Sequence, residues 1–274
     1  MHRAAFAALE LSGWSYQHLP VPPEVLAETV RALPGAGFVG ANVTIPHKEA
    51  ALGLADTATA RARAIGAANT LSFDAGTGAV HADNTDAPGF IAALPLAPRG
   101  RRALVLGAGG SARAVAWALR DAGASEVLVW NRNPGRAQGL AADLGATATD
   151  VAPPAEILVN CTPAGLHGNA PQFKGWPLNA DHLSSYTCVI DLVYVSRGTT
   201  PLIRAARQAG CSVVDGLEIL VRQGSESFSA WTGLPAPLQA MRQGAARGPT
   251  FRSHEPAPAP EARDRPGDRR GAGP

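Results

Sequence analysis

Lysine is almost absent from this chain. Of its 24 Lys and Arg residues only Lys48 and Lys174 are lysines, and all the others are arginine. A guanidinium effectively never releases its proton, whereas an ammonium can once it is desolvated, so a retained lysine hints at ammonium chemistry. Lys174 lies in a polar stretch and reads as an ordinary solvated side chain. Lys48 closes the segment Asn42-Val-Thr-Ile-Pro-His-Lys48, which follows an apolar run, and two further polar groups, Asn69-Thr70 and Asn84-Thr-Asp86, stand at other element boundaries. Singly, each Asn or Thr is a turn or cap residue. Jointly, with an ammonium and a carboxylate, they form a set of hydrogen-bonding side chains suited to a hydroxyl-rich small molecule.

A second group of residues points to an anion. Gly107-Ala108-Gly109-Gly110-Ser111-Ala112 is a G-x-G-x-x-A turn placed between a strand-like run and a helical pattern. Its first glycine permits the tight turn, the second lets backbone approach a pyrophosphate, and the small last residue lets helix and strand pack closely. The free N–H groups of the following helix then face the anion. A tight strand-to-helix turn without a ligand would need the same glycines; the context favours the nucleotide. The next strand ends at Trp130-Asn131-Arg132-Asn133, with Arg136 one turn further on. Where an NAD site offers a carboxylate to the ribose hydroxyl, these guanidinium groups favour a 2′-phosphate, hence NADP(H), although both would also serve as plain solvated residues in an Arg-rich chain.

These groups need a frame to hold them. The stretch Pro95-Leu-Ala-Pro-Arg-Gly-Arg-Arg102 reads as a linker between two halves. Before it, residues 37–43 and 70–73 look like strands, and 46–54 and 59–65 like short helices. After it, strands at 103–106, 127–130, 157–159, 188–192 and 212–215 alternate with helices from 110 to about 120, 134–144 and 200–209, the pattern of a doubly wound parallel sheet. Residues 217–247 read as helical again. The expected fold class is therefore two-domain α/β, with a substrate and catalytic domain at 1–96, completed by helices within 217–247, and a Rossmann-type dinucleotide domain at 97–216. The Pro- and Gly-rich tail, 249–274, cannot bury enough apolar surface to offset its ordering entropy and is expected to be disordered.

Composition removes several other classes. At 274 residues, 46% hydrophobic and 17% charged, the chain has a globular balance. A net charge of +2 without basic runs interleaved with aromatics gives no nucleic-acid footprint. No apolar stretch approaches the roughly 18–20 residues of a membrane span. The opening residues, 1–11, carry a short helical pattern rather than a signal peptide. Three cysteines, Cys161, Cys188 and Cys211, lack both CxxC spacing and an even count, which argues against a disulfide frame or metal site and fits a reducing cytoplasm.

The motifs also carry a family resemblance. Asn42-Val-Thr-Ile-Pro-His-Lys, Gly66-Ala-Ala-Asn-Thr, Asp83-Asn-Thr-Asp, Gly107-Ala-Gly-Gly-Ser-Ala-Arg-Ala, Asn131-Arg132, Asn160-Cys-Thr-Pro-Ala-Gly, Asp191-Leu-Val-Tyr194 and Gly216-Leu-Glu-Ile-Leu-Val-Arg-Gln-Gly occur in the order seen in shikimate dehydrogenases. The resemblance covers the chain to about Arg247. It implies NADP-dependent interconversion of 3-dehydroshikimate and shikimate in aromatic amino-acid biosynthesis, by a cytoplasmic monomer or homodimer that needs no metal. It places Lys48 and Asp86 on the family's catalytic pair. Thr44, Asn69, Asp86, Tyr194 and Gln223 fall on its substrate positions. Gly107, Ala108, Gly109, Gly110, Ser111, Asn131, Arg132, Arg136, Leu192 and Gly216 fall on its cofactor positions. Lys48 would supply the proton that the developing alkoxide needs as hydride reaches a ring ketone, and hinge closure would bring the pair to the cofactor.

This sequence also departs from that pattern. Family members carry an initial strand and a Gly-x-Pro…His-Ser-x-Ser-Pro motif whose serines bind the substrate carboxylate. Met1-His-Arg-Ala-Ala-Phe6 resembles the helix after it. The first sheet is accordingly expected to lack one strand and to expose an unpaired edge. Two rival readings follow: a quinate/shikimate dehydrogenase that uses NAD, and a non-catalytic NADP-binding paralogue.

Overall fold

The computed structural model describes residues 1–166, 173–195 and 198–247, so the tail expected to be disordered lies outside the described residues. Two sheets organise the chain. The first has four strands: β1 (Gly40–Asn42), β2 (Thr57–Ala58), β3 (Thr70–Phe73) and β4 (Val80–Asp83). They run in the order β1-β3-β4-β2, antiparallel except for the β2–β4 pair. Around it lie α1 (His2–Ala8), α2 (Leu26–Ala32), α3 (Lys48–Gly53), α4 (Ala60–Ile65) and α5 (Asp86–Ala93). Leu26, Val30, Leu71, Phe73 and Val80 fill its core. Among the described residues β1 pairs with β3 alone, and is thus an edge strand.

The second sheet has six parallel strands: β5 (Arg102–Leu106), β6 (Glu126–Trp130), β7 (Thr147–Ala148), β8 (Ile157–Asn160), β9 (Cys188–Asp191) and β10 (Ser212–Val214). Their order, β10-β9-β8-β5-β6-β7, reverses direction of travel beside β5. Helices α6 (Gly110–Asp121), α7 (Pro134–Leu144) and α8 (Pro201–Gln208) cover its faces. Strands buried on both faces need continuous apolar runs, and Ala103-Leu-Val-Leu106 is fully buried. Register aligns the carboxyl ends: Leu106 pairs with Trp130 on one side and with Asn160 on the other, and Asn160 pairs with Asp191. The glycine turn, Asn131-Arg132, Cys161 and Leu192 therefore leave the sheet along one edge, at the crevice where such sheets bind ligands.

The C-terminal helices return to the first sheet. α9 (Gly216–Thr232) packs on α5, and α10 (Leu238–Ala246) packs on α1 and α9. Gly89 of α5 sits so close to α9 that a Cβ there would meet the Gln223 backbone nitrogen at 2.5 Å. Phe6, Val221, Phe228 and Met241 form the core of this corner. Ile65, Ala87 and Phe90 share another core with Val105, Val115 and Leu119, so apolar packing is continuous between the two sheets.

One expectation is made specific and two need correction. The helical stretch 217–247 is two helices, because Gly233 takes φ +70° at the end of α9 and Pro235 and Pro237 then forbid continuation. The strand expected over 37–43 is only Gly40–Asn42, since Gly37 at φ +83° ends a 3-10 turn over Pro34–Ala36. Strands β2, β4 and β7 and helices α2 and α5 stand where no element was expected.

Candidate active site

Lys48 is the first residue of α3 and Asp86 the first of α5. An ammonium at a helix N-terminus opposes the helix dipole, whereas a carboxylate there is favoured. The two offset one another. Lys48 Nζ donates to Asp86 Oδ2 at 2.6 Å, with the side chains 10% and 14% exposed. Asp86 Oδ1 accepts from Asn69 Nδ2 at 2.8 Å.

Asn69 is the hub that fixes this geometry. Its amide nitrogen also donates to Gln223 Oε1 at 3.0 Å, and its carbonyl oxygen accepts from the Thr85 N–H at 2.7 Å and from the Thr85 and Thr70 hydroxyls. Every hydrogen-bonding direction of this buried amide is used, so it can neither flip nor drift without orphaning a buried group. Asn84 has a different job. It ties Ala67 O to the Ala87 N–H and anchors the start of α5.

The glycine turn meets this cluster directly. Gly107 adopts φ +113°, and its N–H donates to Trp130 O at 2.7 Å. Gly109 caps α6 with nothing within 4 Å of the position a Cβ would take. Gly110 lies against Lys48, whose Cβ would be 2.9 Å from an added methyl. Ser111 Oγ accepts from Lys48 Nζ at 2.9 Å. The glycine turn and the Lys48–Asp86 couple are thus in direct contact in this structure.

The rim is less tightly built. Asn131 Nδ2 donates to Asn133 O, while Arg132 and Arg136 are exposed and their guanidinium groups have no hydrogen-bond partner among the described residues. Thr44 is exposed, and its side chain is bonded to none of the Lys48 cluster. Tyr194 is 50% exposed and stands near Tyr16, whose phenol is pushed up to about 12 by burial and by that neighbour. Tyr16 in turn donates to Asn42 Oδ1 at 3.1 Å. Leu192 and Val193 place their carbonyls 2.7 and 2.5 Å from a Cβ built on Gly216, which is why α9 begins with glycine there.

Sequence reasoning assigned no role to four residues found here. Asp191 is fully buried and accepts from Asn160 Nδ2 at 2.8 Å, the Val193 N–H at 3.0 Å and Thr200 Oγ1 at 2.6 Å. Burial pushes its carboxyl up, and those three donors pull it back. It ties together the two loops that follow β8 and β9. The Cys161 thiol, pushed up by burial, lies close enough to feel both Lys48 and Asp86. Arg113 donates to Ile65 O and pairs with Asp143. Tyr16 carries no sequence signal at all, since its partner Asn42 is 26 residues away.

A glycine turn at the crevice of a parallel sheet, touching an ammonium–carboxylate couple supplied by a second sheet, defines a dinucleotide-dependent dehydrogenase. The comparisons with known proteins specify which. The family model for the shikimate dehydrogenase substrate binding domain matches residues 1–71, that for shikimate / quinate 5-dehydrogenase matches 94–161, and that for the shikimate 5′-dehydrogenase C-terminal domain matches 216–243. Shikimate dehydrogenase (NADP(+)) of Paracoccus denitrificans is 46% identical over 231 residues, 80% of each chain. Its counterpart from Rubrobacter xylanophilus is 42% identical over 257 residues, 89% of this chain and 88% of that protein. Shikimate 5-dehydrogenase from Thermus thermophilus, solved in complex with NADP(H) and shikimate, superposes with a TM-score of 0.78 at 40% identity, covering 90% of this chain and 92% of that one. The chain belongs to the shikimate dehydrogenase family.

Proposed function

We propose that this protein catalyses the reversible, NADPH-dependent reduction of 3-dehydroshikimate to shikimate, a step of aromatic amino-acid biosynthesis. The observation that carries the proposal is the part-buried Lys48–Asp86 couple, 2.6 Å apart, standing in contact with the dinucleotide turn through Ser111. The residues fit the cofactor. Open space over Gly109 and the first turn of α6 suits a pyrophosphate. The guanidinium groups of Arg132 and Arg136, unpaired among the described residues, suit a 2′-phosphate together with Asn131. Leu192 and Gly216 would flank the nicotinamide end. When bound, the cofactor supplies the hydride.

The protein's own residues manage the proton. Lys48 Nζ delivers it to the ketone oxygen as that atom becomes a hydroxyl, and recovers it in the reverse direction. Asp86 holds the ammonium in place and, with Gln223, presents an acceptor and a donor to the substrate hydroxyls; Asn69 would reach substrate only by exchanging its Nδ2 bond to Gln223 for one to a substrate hydroxyl. Thr44 and Tyr194, at the rim, would meet the rest of the substrate. Residues 1–96 with 217–247 act as the substrate unit and 97–216 as the cofactor unit. A cytoplasmic location fits the free cysteines, and no helix among the described residues is long and apolar enough to cross a membrane. The protein would work as a monomer or homodimer.

The test is steady-state kinetics on the purified protein. Turnover is expected with 3-dehydroshikimate and NADPH, with NADH at least about tenfold poorer in kcat/KM, a difference of some 1.4 kcal/mol in transition-state binding. Shikimate should outperform quinate in the reverse direction. NADPH binding without substrate-dependent turnover, even at high enzyme concentration, would overturn the proposal.

A further inference from the structure

We propose that the Ser111 side chain is a positioning residue for Lys48, and that it makes the dinucleotide turn and the proton donor one mechanical unit. This deepens the functional reading above and rests on it for the identity of the cofactor; the contact itself does not.

The lysine is gripped at both ends by the same turn. Its stem rests on Gly110, where no side chain larger than hydrogen fits without displacing Lys48 Cβ, and its tip donates to Ser111 Oγ at 2.9 Å. Its other acceptor, Asp86 Oδ2 at 2.6 Å, belongs to the first sheet's own helices. A single acceptor leaves an ammonium free to swivel about that one bond. Two acceptors on different elements fix all three N–H directions, and the third is then aimed by the protein rather than by chance.

The second half of the argument concerns the serine's own proton. An Oγ that accepts from an ammonium keeps its O–H to donate. Ser111 lies in the first turn of α6, beside the free N–H groups that suit an anion. With an anion in the turn, the chain Lys48 N–H, Ser111 O–H, anion is a run of donors in which each bond strengthens the next. Filling the turn should therefore be felt at Nζ, before any substrate arrives.

Two lysines in 274 residues make this directly measurable. Protein labelled with carbon-13 at the lysine ε position gives two signals, and Lys174, exposed and remote in sequence, serves as the internal reference. The probe is 2′-phospho-ADP-ribose, which can fill the turn but brings no nicotinamide ring near the lysine. In the native protein the Lys48 signal should move on saturation while Lys174 stays. Ser111→Ala should lose more than half of that movement at saturating probe, and Ser111→Thr should restore it. In kinetics, Ser111→Ala should lower kcat about tenfold with both KM values within about threefold, and should cost nothing further in a Lys48→Ala background. A Lys48 signal that responds in Ser111→Ala as in the native protein overturns the proposal, as does an equal kcat loss in the Lys48→Ala background. A native protein that shows the signal movement but no turnover would instead defeat the functional reading and leave the positioning role standing.

Discussion

Lys48 and Asp86 pair with their side chains only 10% and 14% exposed, so removing one partner strands the other charge largely out of water, a loss that reaches about 3–5 kcal/mol for a fully buried pair and is smaller here. Arg132 is the opposite case. It is exposed and has no bonded partner among the described residues, so its removal should leave folding unchanged and be felt only by the cofactor. We predict that Arg132→Ala raises KM for NADPH at least about tenfold, the scale of one charge-assisted hydrogen bond, while KM for NADH changes less than about twofold. Cofactor titrations of native and mutant protein check this, and an unchanged NADPH/NADH ratio would remove Arg132 from the phosphate site. The residues legible in sequence were those that stand out by type or by place: a lysine in an Arg-rich chain, and arginines where a carboxylate is usual. Asn69 was legible as a polar residue at a strand end. Its role as a hub was not, because its partners Asp86, Thr85 and Gln223 are brought to it only by folding.

At the scale of elements, the glycine turn carries two constraints. Gly107 needs its positive φ for the turn, and Gly110 must be bare because Lys48 passes over it. Gly110→Ala should push Lys48 away from Asp86. We predict a loss of about 1–3 kcal/mol in stability, the usual cost of overpacking, and a fall in kcat of more than tenfold with cofactor binding changed far less. Thermal unfolding together with kinetics measures both, and full activity with unchanged stability would contradict the close contact. The alternating strands and helices of the six-stranded unit were legible because buried parallel strands are continuous apolar runs. Strand β4 was not legible, since Val80-His-Ala-Asp83 is only four residues long and has one β-branched side chain; its pairing with β3 defines it. α5 was hidden by Pro88 and Gly89, residues that argue against a helix until the first-turn position of Pro88 and the closeness of α9 are seen.

At the scale of the whole molecule, the two sheets are joined by polar contacts as well as by apolar packing. Arg113 reaches from α6 across Gly66 to Ile65 O at 2.6 Å and pairs with Asp143 of α7, while Lys48 reaches the other way to Ser111. A distant corner contributes to the pH dependence of stability. His2 is buried against Tyr16 and Trp231, neither ring nitrogen makes a hydrogen bond of normal geometry among the described residues, and burial lowers its pKa to about 4. The unfolded chain therefore binds the proton more readily, and stability falls as pH drops from about 6.5 to about 4, by roughly 3 kcal/mol in all. Glu218, held down to about 2 by Arg242 and Arg222, adds a second loss at lower pH still, between its ordinary value and 2. His2→Phe should abolish the first decline, which urea unfolding at pH 7 and pH 5 would show as a smaller difference between the two midpoints; an unaltered difference would mean His2 is not its source. The central claim concerns the couple that spans the two sheets, and the kinetics of Lys48→Ala test it most directly. With NADPH and 3-dehydroshikimate saturating, kcat should fall by about three orders of magnitude with KM values within a few fold, as when a transition-state contact is removed. A kcat within a few fold of native, or a loss confined to KM, would contradict the assignment of Lys48 as proton donor.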